Sequence, residues 1–148
     1  MNDRSRIFVF PSDVSKVGLD AASSGAMDHP LIPQDLITCA RRLKALRNER
    51  SSIFDSALFG EPAWDILLSL YIAEGEGYRL KIGDLVEESG AATTTALRWI
   101  WKLEEINLIT RRPHPTDQRT FYVEPTERAV RQLTAYFSGV RGKFGLAV

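Results

Sequence analysis

Residues 90–124 read GAATTTALRWIWKLEEINLITRRPHPTDQRTFYVE, and the alternation of periods within them decides the fold. Gly90 supplies a turn. The three threonines Thr93, Thr94 and Thr95 are poor interior helix formers but suit a cap and a first turn, so Thr93 is expected to cap a helix over about residues 94–106. Ala96, Ile100 and Leu103 recur at helical spacing and form its inner face, which leaves Thr94, Thr95, Arg98 and Lys102 on the outer surface. Residues 108–112 and 119–124 then read as strands. In the second, Phe121 and Val123 alternate with Thr120, Tyr122 and Glu124. The connector PHPTDQ is rich in turn formers and makes the two strands a hairpin.

Immediately upstream, residues 84–89 form a short helix with Leu85 and Val86 inward. The order is therefore short helix, glycine turn, capped helix, strand, basic turn, strand. Two helices joined through a glycine turn and followed by a hairpin make a winged helix-turn-helix, whose second helix enters the DNA major groove. The residue types suit that task. Threonine bonds phosphates or base edges, and arginine grips guanine bidentately. Arg111 and Arg112 precede the hairpin loop and Arg119 follows it, which concentrates cations at one wing. Each part has a plainer reading: an ordinary charged surface helix, or an edge hairpin protected by charge. Their combination favours DNA.

Farther out, Pro33 and Asp35 open a helical pattern in which Leu36, Cys39, Ala40, Leu43 and Leu46 form one apolar stripe. Arg41, Arg42, Lys44, Arg47 and Arg50 occupy its other faces. Ile53, Phe54, Leu58 and Phe59 continue an apolar pattern to Gly60. Pro62 starts a new helix, where its missing N–H costs nothing. Trp64, Leu67, Leu68, Tyr71 and Ile72 form the cleanest amphipathic stripe, ended by Gly75 and Gly77. Residues 80–82 are a short extended candidate. Thr126 caps a last helix with Ala129, Val130, Leu133, Tyr136 and Phe137 on its stripe, and Gly139, Gly142 and Gly145 suggest a frayed tail. Residues 1–30 show no sustained period and read as a loosely packed arm with a possible short strand at residues 6–10. The chain divides into this arm, a helical segment over 31–60, a winged helix-turn-helix over 61–125, and a C-terminal helix and tail over 126–148.

At 148 residues the chain is long enough for a hydrophobic core without disulfides or structural metal. Its only cysteine, Cys39, fits a reducing compartment, the cytoplasm. On the apolar stripe it reads as a buried structural thiol rather than a redox switch. His29 and His114 read as surface residues. Asp84, Glu87 and Glu88 lack the loop spacing of a calcium site and read as a solvated helix face. No metal site, cofactor, nucleophile motif or phosphate loop is implied, so an enzyme is not expected. No apolar run is long enough for a membrane span, and Ile7 to Phe10 is too short for a signal peptide. Net charge is zero, but residues 61–90 hold seven acidic and two basic side chains, a local −5. The remainder can still present a basic face, and local charge decides phosphate attraction over a Debye length of about 8–10 Å.

Residues 35–137 resemble the MarR-type winged-helix regulators, most specifically in ATTTALRWIWKLEEINLITRR followed by DQR. The family's wing carries an Asp-x-Arg motif, matched here by Asp117 and Arg119. The resemblance implies that Arg119 reaches the minor groove or backbone, that Asp117 orients the wing, and that the protein is a homodimer made by helices from both chain ends. The family usually has glycine where Asn107 stands, and asparagine also tolerates the left-handed conformation. In place of the usual Leu-Thr-x-x-Gly, Glu124-Pro125-Thr126 leads into the last helix. Trp99 is expected to pack against the wing or core, and Trp101 to be partly exposed or to pack on the preceding helices; neither is read as base-stacking.

The sequence thus leads to a mainly α fold with a small β-hairpin wing and dimerisation helices at both ends. The expected function is sequence-specific binding of double-stranded DNA in transcription regulation, through Thr93, Thr94, Thr95, Arg98, Lys102, Arg111, Arg112 and Arg119. A winged-helix adaptor for other proteins is the alternative. Whether a small-molecule effector controls it is not readable.

Overall fold

The computed structural model describes residues 31–144. The N-terminal arm, the strand expected at residues 6–10, His29 and the end of the tail lie outside the described residues. Five α-helices and three strands follow in order: α1 (Gln34–Ile53), α2 (Pro62–Glu76), β1 (Leu80–Lys81), α3 (Ile82–Glu88), α4 (Thr93–Glu105), β2 (Ile109–Pro113), β3 (Phe121–Pro125) and α5 (Glu127–Phe144). A single 3-10 turn, Ser56–Leu58, links α1 to α2.

Helix α2 is the element everything else packs on. It was expected to be amphipathic, but it is buried on several sides, because two separate cores use it. Ile66, Leu70 and Ala73 face the core of the winged helix, with Tyr78, Leu80, Leu85, Ile100, Leu103, Ile109 and Val123. Leu68, Tyr71 and Ile72 face a second core with Leu36, Cys39 and Ala40 of α1 and Val130, Leu133 and Phe137 of α5. Buried Cys39 is part of this packing. A helix serving two cores must be apolar on more than one face.

Gly75 does not end α2. It lies inside the helix, where Ile37 of α1 packs so closely that an added Cβ would meet its side chain at 2.3 Å. Gly77 alone terminates it, in the left-handed conformation at φ 78°. Helix α3 starts earlier than the pattern suggested, because the Asp84 carboxylate accepts the Lys81 N–H at 2.8 Å and so fixes Lys81 as its N-cap. Helix α5 runs unbroken through Gly139 and Gly142 rather than fraying. Arg141 in its last turn pairs with Asp35 in the first turn of α1, and each charge sits at the helix end whose dipole favours it.

The hairpin gains a third strand. The sheet order is β1-β3-β2, antiparallel throughout, with Leu80 opposite Val123, Lys81 opposite Tyr122, and Arg112 opposite Tyr122. As the central strand, β3 is covered on both faces. Val123 enters the winged-helix core, while Tyr122 and Glu124 are buried too, although their positions in the alternation had put them outward.

The turn from α4 into β2 depends on Asn107, which adopts φ 59°. Its N–H donates to Glu104 O at 3.0 Å, and its carbonyl accepts the Thr126 hydroxyl at 2.8 Å. Thr126 also accepts the Ala129 N–H at 3.2 Å, as an N-cap should. Replacing Asn107 with alanine should cost roughly 1–2 kcal/mol, because a Cβ without the asparagine amide disfavours this conformation. Asn107→Gly should lose nothing comparable. Urea denaturation of the two variants side by side checks this, and equal midpoints would refute it.

Candidate nucleic-acid interface

Helix α4 is held from behind. Ala96, Ile100 and Leu103 are fully packed against α2, α3 and the sheet, so the helix cannot roll without opening the core. Its opposite side presents Thr94, Thr95, Arg98 and Lys102, all exposed. Thr93 is exposed as well, but it does not cap. The N-cap is Ala92, extended at φ −59° and ψ 148°, whose carbonyl receives the first helical bond from Ala96 N–H at 2.9 Å. With no side chain covering this end, the first-turn N–H groups stay open to an external acceptor.

The turn before α4 is tight. Gly90 adopts φ 64°, and the Ser89 hydroxyl donates to Val86 O at 2.7 Å while accepting the Ala91 N–H at 3.2 Å. This is the helix-turn-helix geometry read from the sequence.

The wing cations divide into two groups. Arg111 donates to both oxygens of Glu104 at 3.0 Å, with its guanidinium 5.5 Å from the Phe121 ring. Arg112 donates to Glu124 at 2.5 Å, and the second oxygen of Glu124 faces Arg79 at 3.0 Å. Lys102 pairs with Glu105 at 3.1 Å, both exposed. Arg98 and Arg119 are exposed and form no ion pair with another described residue. The structure therefore brings together an outer α4 face and a wing in which Arg98 and Arg119 are open charges, whereas Arg111 and Arg112 already have internal carboxylate partners.

Asp117 shapes the wing tip. Its carboxylate accepts the Arg119 N–H at 3.0 Å and the Thr120 hydroxyl at 3.1 Å. These bonds to the charged form, the backbone one foremost, hold its pKa below the usual carboxylate range.

Trp99 is not packed away. It is 40% exposed and Trp101 54% exposed. Each lies one residue from Ile100, hence about 100° around the helix from the innermost position, on opposite flanks of the outer face. Glu124 and Arg79 were missed in the sequence. The hairpin register carried a signal for Glu124, since it places Arg112 opposite Tyr122 and Glu124 next along the same face. Among the described residues no cluster of histidine, cysteine, aspartate or glutamate is arranged to hold a metal ion, and no helix is long and apolar enough to cross a membrane.

Residues 61–121, from the start of α2 through the wing, match the model of the MarR family. Over this segment the chain is similar to the MarR family. No curated protein matches the chain. Solved structures similar to it include the S. aureus MepR–DNA complex, at 19% identity over 74% of this chain and 82% of that one, with a TM-score of 0.48. AbsC, a MarR family transcriptional regulator from Streptomyces coelicolor, is 25% identical over 75% of this chain and 80% of its own, with a TM-score of 0.44. A mutant MarR from E. coli is 21% identical over 79% and 81%, with a TM-score of 0.46. Within this segment, Asp117 and Arg119 occupy the wing tip.

Proposed function

We propose that the protein is a sequence-specific regulator of transcription that binds double-stranded DNA as a homodimer. Helix α4 lies in the major groove, and the wing over residues 111–119 lies on the minor groove or backbone. The observation that carries this reading is the pairing of two open arginines, Arg98 on the outer face of a rigidly backed helix and Arg119 on the wing beside it. The MarR-family match of the same segment supports it. Arg98 reads bases, Thr94 and Thr95 contact bases or phosphates, and the uncovered N-terminus of α4 receives a phosphate. Lys102, Arg111 and Arg112 are phosphate contacts of second rank, since each must share its charge with a carboxylate. The helices at both chain ends form the dimer, so two α4 helices enter successive major grooves about one turn apart.

Selection from a pool of genomic fragments, followed by titration at several salt concentrations, tests the reading. Affinity should fall steeply with salt as phosphate contacts release counterions. Arg98→Ala should cost about 1–3 kcal/mol at the preferred site and relax sequence preference. Arg119→Ala should weaken all sequences alike and reduce the salt slope by about one. Absence of salt-sensitive binding to any fragment would refute the function, and unchanged affinity in both variants would refute the residue assignment. Sedimentation of the free protein should show a dimer.

The exposure of Trp99 and Trp101 on α4 and of Ile106 at its C-cap favours a second reading, an adaptor that docks another protein on the same helix. Binding of a protein partner that Trp99→Ala and Trp101→Ala abolish, without DNA binding, would decide for it.

A further inference from the structure

We propose that His114 is a positioning residue that holds the wing tip in the form that presents Arg119. The inference rests on the DNA-binding reading and extends it to a residue that reading does not use. His114 follows β2 directly, and its own N–H donates to Thr120 O at 3.0 Å, closing the base of the loop. Its side chain then turns back over the loop. Nδ1 accepts the backbone N–H of Thr116 at 3.2 Å and that of Asp117 at 3.1 Å, with the Thr116 hydroxyl at 3.3 Å. The ring rests on Tyr122, with centroids 4.9 Å apart, and the guanidinium of Arg79 lies 5.9 Å from the same Tyr122 centroid.

Two acceptors thus divide the work of the loop. His114 Nδ1 gathers the N–H groups of its first half, and the Asp117 carboxylate gathers the N–H of Arg119 and the hydroxyl of Thr120 in its second half. The two are in series, because the Asp117 N–H that His114 holds belongs to the residue whose carboxylate holds Arg119. Nδ1 accepts only when the proton sits on Nε2, so the neutral Nε2–H tautomer is the one this turn requires. Loops without such acceptors sample many conformations, and an arginine on a mobile loop pays ordering entropy on binding.

The test uses full-length protein and the preferred duplex site found by selection. His114→Asn keeps an acceptor in the position of Nδ1. His114→Gln places its amide where Nε2 would be, and His114→Ala has none. His114→Ala and His114→Gln should each weaken binding about five- to tenfold, and His114→Asn should recover most of that loss. In the Arg119→Ala background, His114→Ala should have less than about a twofold effect, because the contact it positions is gone. Nitrogen-15 spectra of the imidazole, recorded without DNA, should show the Nε2–H tautomer. Amide exchange at Thr116 and Asp117 should be faster in the glutamine variant than in the asparagine one. Equal binding by wild type and all three variants would overturn this inference alone, as would the Nδ1–H tautomer or full additivity with Arg119→Ala. Absence of DNA binding by the wild type would overturn the proposed function and this inference with it.

Discussion

Lys44→Ala should destabilise the protein by about 3–5 kcal/mol, enough to lower the melting temperature by roughly 10 °C. Lys44 sits on α1 next to the exposed Arg41 and Arg42, yet it is only 8% exposed. Its ammonium reaches between helices, to the Ser69 hydroxyl of α2 at 2.5 Å and to the Glu88 carboxylate at the end of α3. Ser69 in turn faces Glu88 at 3.3 Å and donates to Asp65 O at 2.9 Å. The pair ties the first helix of the helix-turn-helix to the N-terminal helix. Burial dominates its electrostatics: it pushes the Lys44 pKa down and the Glu88 pKa up, each against the pull of the partner. Such a pair is costly compared with an apolar contact, but it is far costlier to break, because alanine leaves the Glu88 carboxylate buried without its cation.

That asymmetry yields a sharp control. Lys44→Met combined with Glu88→Leu should return to within about 1 kcal/mol of wild type. A double variant as unstable as Lys44→Ala would show that volume, not charge, governs the site. The pH dependence follows from the same shifts. The folded protein holds the Glu88 proton more tightly than the unfolded chain does. The contribution of Glu88 is therefore largest in acid and is lost as pH rises from the ordinary carboxylate range through the raised one. Lys44 acts the other way: the folded state releases its proton more readily, so its contribution grows as pH climbs towards the ordinary lysine value. Urea denaturation across pH should show the acid-side slope flatten in Glu88→Gln.

Phe137→Ala should cost a similar amount, about 3–5 kcal/mol, by a different mechanism. The ring is fully buried where α5 meets α2. It stacks on Tyr71 at 5.2 Å and on Trp64 at 6.4 Å, and the Tyr71 hydroxyl bonds Thr134 Oγ1 at 3.0 Å on the same α5 face. Alanine would forfeit the transfer free energy of the ring and leave a cavity that three helices cannot close. Because the winged-helix core contains none of these side chains, the loss falls on the junction of α1, α2 and α5. Thermal unfolding followed by near-ultraviolet dichroism, where Trp64 reports on this site, measures it. A loss below about 1 kcal/mol would mean that the core collapses around the gap.

Much of the architecture was legible because it is local. The spacing of Ala96, Ile100 and Leu103 named the inner face of α4, Asn107 took the left-handed turn, and Thr126 capped α5. Each involves residues within about a turn of one another, where backbone geometry leaves few choices. The boundaries were less legible. Ala92 rather than Thr93 is the N-cap of α4, and Lys81 is the N-cap of α3, because the boundary falls at the residue whose carbonyl takes the first helical bond, not where the composition changes.

The candidate interface was half legible for the same reason. The helical period put Arg98 and Lys102 outward, and they are outward. That Arg111 and Arg112 meet Glu104 and Glu124 follows from how β2 lies against α4 and β3, which no period encodes. The sequence by itself determined the order of elements in residues 90–124, the inner face of α4 and the turn chemistry of the wing, since these depend on neighbours along the chain. Only the tertiary structure decided that α2 serves two cores, that Lys44 is buried against Glu88, and which wing arginines remain open. Those outcomes depend on contacts between residues distant in sequence, where a charge finds its partner across a packed interface rather than along a helix.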